Sequence, residues 1–138
     1  MAVGGTYYVQ ALSFSSWALL AAVPVGALTT AILVVNNLRD IDSDLEAGKH
    51  TLAVMMGPDA SRLEYLALLT LAYLIPPLMW WNGWSPWVLL PWACAPLAVL
   101  HVRGLYRAPD GAAYNKLLAQ TAQLALVFSV LLALGLIL

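Results

Sequence analysis

The sequence predicts an all-α fold, a multi-span bundle with about four membrane-crossing helices. Three observations carry that expectation. Of 138 residues, 62% are hydrophobic and 9% charged, with a mean hydropathy of +0.82, whereas a water-facing domain carries about 25% charged residues. Four apolar runs recur, at 13–35, 65–81, 87–100 and 117–138, and the outer two meet the roughly 20 residues that a helix needs to cross the hydrocarbon core. All six Lys and Arg residues fall in two stretches between runs: Arg39, Lys49 and Arg62 in one, Arg103, Arg107 and Lys116 in the other.

The first run reads as a span rather than a secretory signal. No basic residue precedes it, it is too long for a signal core, and no small-residue cleavage site is evident. Pro24 lies inside it; prolines kink spanning helices, and kinked helices often surround a cavity, although prolines are also simply common in membrane helices. Gly48 suits a helix end or a sharp turn. Gly57-Pro58 can open the second membrane helix, with Pro58 tolerated in the first turn. The two middle runs are shorter and hold Pro76, Pro77, Pro91 and Pro96, so they need tilt or flanking aromatics to span.

The turn at 82–86 has no basic residue and is bracketed by Trp80, Trp81, Trp84 and Trp87, which resemble an interfacial aromatic belt. A four-helix path alternates sides, so both basic stretches fall on one side, which the positive-inside rule makes cytoplasmic. Arg103 and Arg107, one turn apart, could also hold an anion. His101 and the amides Asn115, Gln120 and Gln123 read as helix-interface groups first. Cys94, the single cysteine, reads as a small buried hydrophobe. The net charge of −1 says little about partners; the bilayer is the expected surrounding and no nucleic acid is expected.

The chemistry concentrates at 36–57. Asn36, Asp40 and Asp44 are spaced i, i+4, i+8, so a first helix continued past Val35 carries them as one stripe at its cytoplasmic end. Carboxylates one turn apart repel, and at a helix C-terminus they oppose the dipole. Mg²⁺ is the natural offset: it prefers oxygen ligands and is held by one or two carboxylates plus substrate phosphates. Arg39 and Lys49 flank the acids and could grip phosphate oxygens, Arg bidentately and Lys as a point charge. Asp42 and Glu46 point to another face, towards solvent or basic neighbours. A solvated juxtamembrane loop is the plainer alternative.

The pattern Asn-Asn-x-Arg-Asp-x-x-x-Asp-x-x-Ala-Gly-Lys-x-Thr-Leu-Ala-Val-x-x-Gly over 36–57 resembles the second aspartate-rich motif of the UbiA superfamily of intramembrane prenyltransferases. Within it, the Asn-Asn-x-Arg-Asp and Ala-Gly-Lys-x-Thr-Leu stretches look like the 1,4-dihydroxy-2-naphthoate polyprenyltransferases of menaquinone biosynthesis. The resemblance reaches upstream to Gly5-Thr6-Tyr7-Tyr8-Val9-Gln10 and downstream to Asn115, Leu118, Thr121-Ala122 and Phe128. His50 departs from the Arg or Lys usual there, and a surface role is its plainer reading.

The resemblance implies that Asp40 and Asp44 are catalytic Mg²⁺ ligands with Asn36 assisting, and that Arg39 and Lys49 contact the diphosphate. Tyr7, Tyr8, Gln10 and Asn37 become candidates for the substrate cavity, an interfacial pair being the plainer role for the tyrosines. The implied fold has about nine membrane helices and two aspartate-rich motifs, so residues 1–138 are expected to be the C-terminal part of such a domain, inactive without an N-terminal half. The implied partners are polyprenyl diphosphate and 1,4-dihydroxy-2-naphthoate, and the implied location is a bacterial plasma membrane with the motif facing the cytoplasm. Three alternatives stay open: another branch acting on 4-hydroxybenzoate, homogentisate or a chlorophyllide, an inactive remnant, or a cation-binding transporter segment. Transporters place ionisable residues near the bilayer midplane, whereas here they are expected in loops or at helix ends.

Overall fold

A computed structural model describes Gly5, Val9 and residues 15–138. Within residues 15–138, five α-helices follow one another: α1 (Ser16–Arg39), α2 (Ile41–Glu46), α3 (Leu52–Trp81), a 3₁₀ segment (Pro86–Cys94) running into α4 (Ala95–Arg107), and α5 (Gly111–Ile137). Among the described residues, four helical stretches are long and apolar enough to cross a membrane: Ser16–Arg39, Leu52–Trp81, Pro86–Arg107 and Gly111–Ile137. The protein is an all-α multi-span membrane bundle. Side-chain caps open all four spans: Ser15 accepts from the Ala18 amide, Thr51 from Val54, Ser85 from Trp87 and Asp110 from Ala113, satisfying donors left free in a first helical turn.

The second span begins earlier than its hydropathy suggests. Gly57 breaks α3 with φ 82° and ψ 171°, a backbone that only glycine enters without a Cβ penalty. The membrane helix proper therefore starts at Pro58, and Arg62 and Glu64 lie in its first turns rather than in a loop. Arg62 is held there, its Nη1 2.8 Å from Asp59 and its guanidinium 5.9 Å from the Tyr106 ring centroid. The third span differs too, beginning as 3₁₀ over Pro86–Cys94. Pro91 and Pro96 each remove an amide donor from the i→i−4 ladder, and the chain tightens around them.

In lipid, helices associate through close packing and polar links rather than through exclusion of water. The core shows both. Leu28, Ala31 and Val35 of α1, Tyr65, Leu69 and Ala72 of α3, and Leu124 and Phe128 of α5 form one buried cluster. Tyr65 Oη lies 3.0 Å from Thr121 Oγ1, joining α3 to α5 through the core. Cys94 is buried, its thiol 2.9 Å from the Pro91 carbonyl and 3.2 Å from Tyr73 Oη. Gly135 lets α5 approach the 3₁₀ segment so closely that a Cβ there would overlap the Trp87 carbonyl. Leu33, Leu63, Leu74, Leu126 and Val130 remain exposed on the outside, the apolar coat that lipid requires.

The two ends of the bundle are chemically distinct. Trp84, in the turn after α3, meets Trp17 at the start of α1 edge-on, with centroids 5.8 Å apart. Trp80, Trp81 and Trp87 are exposed beside them. At the other end, Arg39 closes α1 and reaches Asn115 in the first turns of α5. The 36–57 motif and the basic α4–α5 corner therefore share the end opposite the tryptophans.

Candidate functional site

The site is built where α1 stops. Asp40 has φ −99° and ψ 8°, leaving helical geometry for one residue before α2 begins. Helical bonding nonetheless continues across the break, from the Asp40 amide to Asn36 O at 3.1 Å and from the Asp44 amide to Asp40 O at 2.8 Å. Asn36, Asp40 and Asp44 thus keep the one-turn spacing expected of them. The two faces separate as anticipated: Asp44 is buried at 6% exposure, while Asp42 and Glu46 are exposed.

The two basic residues are engaged by these acids. Arg39 grips Asp40 bidentately, Nε to Oδ1 at 2.7 Å and Nη2 to Oδ2 at 2.7 Å. Its Nη2 also donates to Asn36 Oδ1 at 3.0 Å, and Asn36 Nδ2 donates to Asp40 Oδ2 at 3.4 Å. Lys49 Nζ donates to Asp44 Oδ1 at 2.7 Å, and the Lys49 amide bonds Asp44 O at 2.8 Å, which folds the loop back after the turn at Gly48. The Arg39 hydrogen bonds hold the Asp40 carboxyl below the usual carboxylate range. The Asp44 carboxylate likewise pushes the Lys49 ammonium up. Without an external ion, each acid is neutralised by its own base.

The donors on this stripe suit Mg²⁺ chemically: two carboxylates and an amide carbonyl, all hard oxygens. Among the described residues, no three His, Cys, Asp or Glu side chains converge as a cage. Mg²⁺ needs no such cage, since it usually keeps waters and shares its shell between one or two carboxylates and substrate phosphates. A groove of about 480 Å³ runs from Asn36 along α1, past Leu33, Ile32 and Thr29, with Leu118 of α5 on its wall. Asn37 faces a separate, smaller cavity of about 80 Å³ between α1 and α3, beside Ser61 and Glu64, and does not line the groove at Asn36.

Of the residues singled out in the sequence, Asn36, Arg39, Asp40, Asp44 and Lys49 come together here. Tyr7, Tyr8 and Gln10 lie outside the described residues. His50 is exposed, as are Arg103 and Arg107, and neither arginine forms an ion pair among the described residues. Asn115, expected to bond a neighbouring helix, does so at this site, its Oδ1 accepting from Arg39 Nη1 at 2.9 Å.

Comparison with known proteins places the chain in a family. The model of the UbiA prenyltransferase family matches residues 1–127. The chain is 35% identical to the 1,4-dihydroxy-2-naphthoate octaprenyltransferase of Haemophilus influenzae, over 99% of the chain and 45% of that protein. To the protein of that name in Escherichia coli it is 38% identical, over 100% of the chain and 45% of the relative. Human UbiA prenyltransferase domain-containing protein 1 is 36% identical over 100% of the chain and 39% of its own length. The chain thus spans less than half the length of these relatives. With a family match over most of its residues, the chain belongs to the UbiA prenyltransferase family.

Proposed function

We propose that this chain supplies the C-terminal part, with the second aspartate-rich motif, of an enzyme that transfers a polyprenyl group from polyprenyl diphosphate to 1,4-dihydroxy-2-naphthoate. The supporting observation is the pairing of acids with bases at and just beyond the end of α1: Arg39 on Asp40 and Lys49 on Asp44. The bacterial relatives named as octaprenyltransferases of that naphthoate support the acceptor, and the first aspartate-rich motif is assigned to the remainder of the protein.

Asp40 and Asp44, assisted by Asn36, would hold Mg²⁺, which when bound neutralises the diphosphate as it leaves. Arg39 and Lys49 exchange their carboxylate partners for phosphate oxygens. Arg39 offers a planar fork matched to two oxygens, and Lys49 a mobile point charge. Positive charge gathered there favours breaking the allylic C–O bond, because negative charge accumulates on the departing oxygen. The groove below Asn36 takes the first isoprene units and keeps water from the allylic cation. The acceptor ring carbon then bonds the cation, and the ring's carboxyl group leaves as CO₂, its bonding electrons restoring the aromatic ring. The motif end faces the cytoplasm of a bacterial plasma membrane, consistent with basic residues at that end and tryptophans at the other.

The test uses membranes from cells expressing the chain with all of its own flanking coding sequence. Prenylation of 1,4-dihydroxy-2-naphthoate should require Mg²⁺ and vanish in Asp40→Ala and in Asp44→Ala. Activity kept by both variants would remove the ligand assignment. Transfer to 4-hydroxybenzoate in place of the naphthoate would move the protein to another branch.

A further inference from the structure

The motif at the end of α1 is tied to the last helix by one contact that its own sequence does not contain. Arg39 has five N–H donors. Four are committed: Nε and one Nη2 hydrogen to Asp40, the other Nη2 hydrogen to Asn36, and one Nη1 hydrogen to Asn115. The first three bonds go to two motif residues, Asp40 and Asn36, within four residues of Arg39. Asn115 is 76 residues away, in the first turns of α5, and is exposed at the same end of the bundle. It therefore fixes the outer edge of a guanidinium whose inner edge faces the carboxylate.

We propose that Asn115 is a positioning residue for diphosphate recognition, holding the Arg39 guanidinium in place while its other edge changes partner from Asp40 to phosphate. This rests on the reading of Arg39 as a diphosphate ligand. The chemistry of an amide suits the task. A hydrogen bond to a neutral acceptor orients Arg39 yet is roughly half as strong as one to a carboxylate, so Asn115 does not compete with an arriving anion for the charge. The Nη1 edge stays anchored when the Nε–Nη2 edge is released, so the fork turns towards its new partner instead of collapsing into solvent. A long side chain left free would lose rotamer freedom on binding, and a held one has less to lose.

The test measures binding of inorganic pyrophosphate with Mg²⁺ by calorimetry, on purified protein in detergent, expressed with its own flanking sequence. Asn115→Leu keeps size and removes the acceptor. It should weaken pyrophosphate about 2- to 10-fold, the range of one neutral hydrogen bond, and Asn115→Gln should recover part of the loss. The KM for prenyl diphosphate should rise in step while the KM for the aromatic acceptor stays put. In an Arg39→Met background, Asn115→Leu should add nothing, since the group it positions is gone. An unchanged affinity in Asn115→Leu, or the same loss with and without Arg39, would overturn the assignment. Wild-type protein that binds pyrophosphate but transfers no prenyl group would sink the proposed reaction and leave this inference standing. Wild-type protein that binds no pyrophosphate would sink this inference.

Discussion

Gly135 offers a measurable test of how the bundle is packed. A Cβ at this position would overlap the Trp87 carbonyl oxygen, lie 2.7 Å from the Trp87 carbonyl carbon and 3.0 Å from Val88 Cα. Carbon atoms in contact prefer about 3.5–4.0 Å, so the shortfall is close to 1 Å, and the obstacle is backbone that no rotamer change can move. Gly135→Ala must push α5 away from the 3₁₀ segment, loosening the contacts of Leu136 with the buried cluster of Ile75, Met79 and Val88. Overpacking of this kind costs about 1–3 kcal/mol. Alanine returns about 1 kcal/mol of helix propensity, leaving a net loss of about 0–2 kcal/mol, towards the upper end because the obstacle is backbone. Gly26 provides the matched control: it lies within α1, and a Cβ there would meet no described atom within 4 Å. Gly26→Ala should therefore hold or raise stability. Thermal unfolding in detergent, read by loss of the monodisperse peak, should show Gly135→Ala below wild type and Gly26→Ala at or above it. Both variants moving in the same direction would refute the close approach of α5 to the 3₁₀ segment.

Two further outcomes follow from single contacts. Thr121 Oγ1 donates to the Leu117 carbonyl at 2.8 Å, so the hydrogen shared with Tyr65 comes from the phenol. Tyr65→Phe should then cost about 0.5–1.5 kcal/mol, and Thr121→Val more, about 1–3 kcal/mol, because it strands a buried donor; the reverse order in thermal unfolding would exclude this arrangement. Asp40 is held below the ordinary carboxylate range by Arg39, so the unfolded chain binds this proton more readily than the folded one. The stabilisation is complete above about pH 4 and is lost as pH falls through the depressed folded-state value. Wild type should lose stability on acidification below about pH 4 more steeply than Asp40→Asn, and parallel slopes there would contradict the pairing.

Much of this architecture was legible in the sequence because membrane helices answer to few constraints. Length and hydropathy locate the spans, and charge placement pairs the two basic stretches at one end. The turn spacing of Asn36, Asp40 and Asp44 survives the break at Asp40, because amide-to-carbonyl bonding bridges it. Hydropathy misplaced the start of the second span, since Asp59, Arg62 and Glu64 make the first turns amphipathic and only Gly57-Pro58 marks the entry. The partners of Arg39 and Lys49 were not legible either. Their sequence suggests phosphate, but without an anion the neighbouring carboxylates are the strongest acceptors available. For Asn115 the helix-interface role was legible but the partner was not: a lone amide in an amphipathic helix start carries no signal of which group it meets across the bundle.

The 3₁₀ stretch has a consequence for reach. A 3₁₀ turn rises about 2.0 Å per residue against about 1.5 Å in an α-helix. Across the nine residues Pro86–Cys94 the chain therefore gains about 4–5 Å. A third span with 22 residues thus extends about as far as the 24 residues of α1, each roughly 36–38 Å. Prolines that weaken the helix in one sense lengthen it in another. The stretched segment lets a short apolar run approach the length of its longer neighbour, and α5, which starts a few residues beyond this span, carries Asn115 to Arg39.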